Sequence, residues 1–186
     1  MRFVATPIPQ LWQVHGVPQA DERGSFTRLY CAEAFDAVVP GLRFVQINQS
    51  ITRRRGTLRG LHLQRAPAQE WKLVRCLRGR VFDVGADLRR GSPTYGRWFA
   101  LELDEQRPCA LLVPPGVAHG FQALSDDAQL LYQHSAAHED ALEGGVRHDD
   151  PTLAIRWPLP VALLSARDQA LPLLQVDAAL PSEAAA

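Results

Sequence analysis

The chain of 186 residues carries 20 basic and 20 acidic side chains and is 46% hydrophobic. Its length suits a single domain that buries its own core without disulfides or a structural metal, and its balanced charge supplies no field for nucleic acid or anionic lipid. No run reaches the length of a membrane span, the start lacks a signal-peptide pattern, and Cys31, Cys76 and Cys109 are irregularly spaced, so the protein reads as cytoplasmic with reduced thiols.

Along the chain, FTRLY (26–30) is the first strand-like run, and CAEAFDAVV (31–39) predicts a short helix closed by Pro40. RFVQINQSI (43–51) and RGTLRGLHLQ (55–64) read as strands, as do EWKLVRCL (70–77) and RVFDVGADL (80–88), between which Arg78-Gly79 predicts a tight hairpin. RWFALEL (97–103), CALLV (109–113), HGFQAL (119–124) and QLLYQHS (129–135) continue the pattern, and only PSEAAA at the end looks like a frayed tail. Many short strands divided by Gly, Pro and Asp predict a mainly β fold, a sandwich or jelly-roll barrel.

Polar residues with chemical potential gather in two of these runs. On a regular strand His62 and Gln64 share one face and Arg59 points away, but Gly60 lies between them and can host a bulge that re-aims the arginine. In PPGVAHGF (114–121) two prolines and a glycine make a rigid turn that delivers His119 onto the next strand. His62, Gln64 and His119 form a poor metal set, because zinc and iron sites want three good His or carboxylate ligands. Neither GxGxxG nor a Walker-type loop is present, and no cysteine has a nucleophile context. One composition bias stands out: 19 of the 20 basic residues are arginines, and Lys72 is the single lysine. A lysine places a compact point charge where a guanidinium cannot. Read singly, a strand histidine, a strand Tyr132 and an Asp168 near the end are as readily packing, capping or surface residues as functional ones.

Taken together and in order, DERGSF (21–26), FVQINQS (44–50), GTLRGLHLQ (56–64), KLVRCLRGRVFDVGADLR (72–89), GSPTYG (91–96), PPGVAHGF (114–121), the Tyr132 segment, EGGVRHDDP (143–151) and IRWP (155–158) are similar to the dTDP-4-dehydrorhamnose 3,5-epimerase family. The resemblance runs from about Asp21 to Asp168. It implies a cupin-type jelly roll of antiparallel strands with a few short helices, one domain over residues 1–186. The core is expected at about 21–158, with 159–186 packing on it. It further implies a homodimer, no metal or organic cofactor, and a nucleoside diphosphate 4-keto-6-deoxy-hexose as substrate, in deoxysugar biosynthesis of the rhamnose type. By the same resemblance His62 is the base, Asp168 its orienting partner, Tyr132 the acid and Lys72 the group beside the ketone oxygen. Arg23, Phe26, Arg28, Gln46, Asn48, Arg59, His119, His138, Glu143 and Arg167 match substrate-binding positions, with DERGSF reaching a partner's pocket.

The chain departs from the family at the base-recognition positions: Arg28 stands where Glu is common, His138 where a stacking Tyr is, and His148 where a Trp is. The chemistry is therefore read more firmly than the nucleotide, and weaker selectivity for thymidine is expected. The competing readings are a single-centre epimerase acting on a non-thymidine nucleotide sugar and a non-catalytic cupin that binds a sugar nucleotide. A binding protein has no need of an acid, a base and an oxyanion group in one pocket.

Overall fold

The computed structural model describes residues 1–175; the PSEAAA tail and the last part of the expected C-terminal segment lie outside the described residues. The chain runs through β1 (Arg2–Ala5), β2 (Trp12–His15), β3 (Gln19–Asp21), β4 (Gly24–Phe26), α1 (Ala32–Asp36), β5 (Gln46–Thr52), β6 (Leu58–Gln64) and β7 (Lys72–Arg78). It continues through β8 (Arg80–Asp87), β9 (Trp98–Asp104), β10 (Cys109–Val113), β11 (Val117–Ala123), β12 (Ala128–His134), β13 (Glu143–Gly145) and α2 (Ala166–Gln169).

These strands form a six-stranded sheet, β1-β2-β10-β7-β12-β5, facing a five-stranded sheet, β13-β6-β11-β8-β9, with β3 and β4 as a separate hairpin. Every pairing between strands is antiparallel, the arrangement of the expected jelly roll. The larger sheet starts earlier than the core boundary expected from sequence, because β1 and β2 pair into it.

Period-two alternation explains how the central strands of both sheets bury both faces. On β10, Leu111 packs with Ile8, Leu11 and Val117, while Ala110 and Leu112 turn the other way onto Val14, Phe35 and Leu42. Between the sheets Val74, Val81, Leu103, Phe121 and Leu130 form one cluster, each fully buried aliphatic or aromatic side chain contributing roughly 1.5–3 kcal/mol. The helix α1 is shorter than the predicted 31–39 run; Phe35 is its buried residue and anchors it against Phe3, Tyr30 and Phe44.

Two expectations are corrected. FTRLY is a strand only at Phe26, where β4 ends, and the following residues run without regular pairing. Arg78-Gly79 does not make a hairpin. β7 already has β10 and β12 on its two edges, and β8 has β11 and β9, so neither has an edge to offer the other. The dipeptide is instead the corner where the chain changes sheets. Gly79 adopts φ +72°, and a Cβ there would collide with the Ser125 hydroxyl.

The corner after β8 is held by charge. Asp87 takes both the Nε and Nη2 of Arg89 and the hydroxyls of Ser92 and Thr94 at 2.6–2.8 Å. Burial alone would push its carboxyl up, but these donors outweigh burial and hold it at about 2, against an ordinary 3.8. A depressed folded pKa contributes stability above the unfolded value, and that contribution is lost as pH falls through the folded one. Asp87→Asn is therefore expected to cost about 3 kcal/mol at neutral pH. In paired thermal melts the gap from wild type should hold above pH 4 and shrink as pH falls towards 2; a pH-independent gap would contradict the assignment.

Candidate active site

The two sheets enclose a cavity of about 650 Å³ between their inner faces. Residues directly opposite on paired strands face the same side, and the register of the larger sheet sets its inner wall. Gln46, His134 and Lys72 make one row across β5, β12 and β7, and Asn48, Tyr132 and Val74 make the next. The opposite wall carries His62 on β6 paired across from His119 on β11, with Asp83 on the neighbouring β8.

The bulge expected at Gly60 is present: β6 and β11 pair His62 with His119 but Arg59 with Phe121, so β6 holds one residue more than its partner. That extra residue reverses the alternation, and Arg59 lines the same cavity as His62. Only glycine fits the close approach. Gly60 has φ +118°, and a Cβ on it would lie 2.5 Å from the Gly120 Cα.

His62 Nε2 lies 2.7 Å from Asp168 Oδ1, and the other carboxylate oxygen accepts the Gly60 N–H at 3.1 Å. Asp168 arrives on the short α2, where the Ser165 hydroxyl caps its N–H. The segment before it is tied to β6 by a parallel bridge between Leu163 and Thr57. Burial pushes the Asp168 carboxyl up, but the hydrogen bonds from His62 and Gly60 prevail and keep it below the usual carboxylate range. An ionised Asp168 fixes the tautomer: Nε2 carries the hydrogen, and the Nδ1 lone pair is free to take a proton. Glu143 Oε1 stands 3.8 Å from that Nδ1.

Across the cavity the Tyr132 hydroxyl is 3.3 Å from Ser50 Oγ. Burial raises its pKa, with the Ser50 hydrogen bond opposing, so the phenol stays protonated over the physiological range. The His119 ring meets Tyr132 edge-on at 6.0 Å, and His134 stacks on it at 6.1 Å. His119 Nε2 is itself bound to Asp83 at 2.8 Å. Lys72 Nζ pairs with Glu70 at 3.2 Å. One wall therefore offers a carboxylate-oriented base, and the other a neutral acid and a compact cation. That set can remove a proton beside a carbonyl, steady the oxyanion and return a proton from the other side.

The structure brings His62, Tyr132, Lys72 and Asp168 together, and with them Asn48, Arg59, His119, His138, Glu143 and Arg167. At the mouth Arg167 is paired with Glu143, and His138 Nε2 reaches Asp140 at 2.9 Å. His138, Asp140 and Glu143 set their ligand atoms within 4.8 Å of one another, a grouping able to hold a cation, though Arg167 already meets Glu143. Gln46 does not line the cavity; its side-chain oxygen accepts the His138 N–H. Arg23 and Phe26 lie on the exposed β3–β4 hairpin and Arg28 is exposed just beyond it, so none of the three joins this cavity. Gln64 is a structural residue whose amide is spent on the backbone of Ala68, Ala137 and Glu139. Sequence reading missed Glu70, Asp83, Ser50 and His134. The signal available for the last was spacing, since His134 sits two residues beyond Tyr132 on one strand face.

Residues 5–176 match the family model described as dTDP-4-dehydrorhamnose 3,5-epimerase. The chain is 43% identical over 170 residues to a dTDP-4-dehydrorhamnose 3-epimerase of Streptomyces niveus, covering 91% of this chain and 82% of that protein. It is 38% identical over 185 residues to the dTDP-4-dehydrorhamnose 3,5-epimerase of Salmonella typhimurium, covering 98% of this chain and 100% of that one. Among solved structures it superposes with TM-score 0.87 on an epimerase of Legionella pneumophila in complex with dTDP-4-keto-L-rhamnose, at 38% identity over 93% of this chain and 92% of that one.

The glycine at the bulge gives a direct test of this geometry. Gly60→Ala is expected to lower stability by roughly 2 kcal/mol or more, combining backbone strain with the collision at Gly120. Gly91→Ala, at φ +87° but with nothing within 4 Å, carries the strain alone and should cost less. Equal thermal midpoints for the two variants would contradict the close approach.

Proposed function

The chain belongs to the dTDP-4-dehydrorhamnose 3,5-epimerase family, a family of sugar-nucleotide isomerases, and from that premise we propose how its cavity inverts a centre beside a ketone. The substrate is a nucleoside diphosphate 4-keto-6-deoxy-hexose, and the centres inverted are carbon 3 and/or carbon 5. The observation that carries this reading is the opposition of the His62–Asp168 pair on one wall to Tyr132 and Lys72 on the other.

His62 Nδ1 takes the proton from the carbon next to the 4-keto group. The C–H electrons form the enolate double bond and the charge moves onto the ketone oxygen. Asp168 keeps the imidazole in the competent tautomer and steadies the imidazolium. Lys72 stabilises the developing oxyanion as a point charge, which a planar guanidinium would place differently. Tyr132 then delivers its proton to the opposite face of the carbon, and solvent restores the phenol and neutral His62. Arg59 suits the diphosphate, its forked donors matching the oxygens, and His119, held by Asp83 beside Tyr132, contacts the substrate next to the acid. No step draws on a metal or organic cofactor.

A single epimerase domain acting as a homodimer in the cytoplasm completes the proposal. The edge strand β5 and its approach expose Val45 (64%), Ile47 (62%) and Ile51 (52%), and the β3–β4 hairpin exposes Phe26 (73%). An apolar sheet edge is a liability unless it is covered, and a second copy would cover it while lending Arg23 and Phe26 to this cavity. The cytoplasmic assignment is supported by Cys31, Cys76 and Cys109 standing as free thiols.

The deciding experiment is incubation with 4-keto-6-deoxy nucleotide sugars in deuterated water, followed by NMR at carbons 3 and 5, which also counts the centres inverted. His62→Ala should abolish solvent exchange. Tyr132→Phe should retain exchange but lose inversion, because removal survives and delivery from the far face does not. Wild-type exchange in His62→Ala would overturn the assignment of the base. Light scattering should give a dimer mass, with Ile47→Glu shifting it to monomer and lowering turnover; a fully active monomer would remove the partner from the site.

A further inference from the structure

Three histidines of this cavity are each bound to a carboxylate: His62 to Asp168, His119 to Asp83, and His134 to Glu70. The third pair has no part in the reaction as described above. Glu70 is buried and stands two residues before Lys72, so both side chains emerge on one side of an extended chain. One carboxylate oxygen, Oε1, lies 3.2 Å from Lys72 Nζ; the other, Oε2, lies 2.7 Å from His134 Nδ1. His134 is directly opposite Lys72 in the β7–β12 register, which places all three groups in one row. The far nitrogen of His134, Nε2, looks towards the Asn48 amide at 3.5 Å.

We propose that Glu70 and His134 are positioning residues for Lys72, the carboxylate aiming the ammonium and the imidazole aiming the carboxylate. A lysine has a long flexible stem and no preferred direction of its own, so a cation meant for one oxygen needs an external constraint. A carboxylate held at one oxygen only could rotate and swing the ammonium with it. With His134 Nδ1 on Oε2, the carboxylate is held at both oxygens and Oε1 stays beside Lys72 Nζ, and the stacking of His134 on Tyr132 fixes the imidazole in turn. Burial raises the Glu70 carboxyl, yet His134 and Lys72 together bring it below its ordinary value, as expected for a carboxylate that stays ionised between them. The acid, the cation and their orientation thus come from one wall. A misplacement of about 1 Å in such a group costs on the order of a hundredfold in rate.

This inference rests on the epimerase reading for its kinetic arm but has a second arm that does not. Lys72 is the only lysine in the chain, so protein made with isotope-labelled lysine gives one side-chain resonance that reports this group alone. His134→Phe should move that resonance. His134→Asn, whose amide N–H can replace the Nδ1–H donor, should return it close to wild type. In the deuterium-exchange assay, Glu70→Gln and His134→Phe should each lower kcat by about tenfold or more with KM within about twofold, and His134→Asn should recover most of the loss. In a Lys72→Met background the same substitutions should add less than about twofold, because the group they aim is gone. Full multiplicative losses in that background, or an unmoved lysine resonance in His134→Phe, would overturn the proposal. Absence of exchange in the wild type would sink the epimerase reading, while the resonance would still decide the positioning role.

Discussion

The Asp168 carboxylate is the point on which the site turns. One oxygen holds the His62 ring and the other holds the Gly60 N–H, so a single side chain fixes both the proposed base and the bulge that redirects Arg59. It reaches them from a segment joined to β6 through Leu163 and through the Ala162 N–H on the Gly56 carbonyl. His62 is thereby oriented by a residue more than a hundred positions away in sequence, through a contact that no local pattern contains.

Around that contact the fold divides the labour. The five-stranded sheet supplies imidazoles backed by buried carboxylates, and the six-stranded sheet supplies Tyr132, Lys72 and the amide of Asn48. The proposed inversion needs proton traffic on two faces of a carbon, and the two facing sheets supply groups on both sides of the cavity. The cost is a buried polar group. Asp83 is fully buried, with Oδ1 on His119 and Oδ2 without a hydrogen-bond partner among the described residues. Such a group is retained against its desolvation penalty only where a neighbour needs it.

Much of this was legible in the sequence, and the losses have physical reasons. CALLV is a strand with the bounds read from it, because five apolar residues between turn signals have few other uses. Gly60 announced the bulge because a glycine inside a strand pattern marks close backbone approach. The lone lysine drew attention to Lys72, but nothing near it singled out Glu70, whose partner His134 is 64 residues away. The hairpin at Arg78-Gly79 failed because turn residues specify a reversal of direction and say nothing about which strand will be the neighbour. That choice belongs to the competition for edges, where β10 and β12 both claimed β7.

The lateness of Asp168 in the chain has a consequence for how the protein is made. Synthesis proceeds from the N-terminus, and among the described residues every strand, β1 to β13, precedes Asp168. A nascent polypeptide can therefore pair both sheets and close most of the barrel while His62 still lacks its orienting carboxylate and Gly60 its hydrogen-bond acceptor. The pairing of His62 with Asp168 therefore waits until α2 has been made and docks against β6.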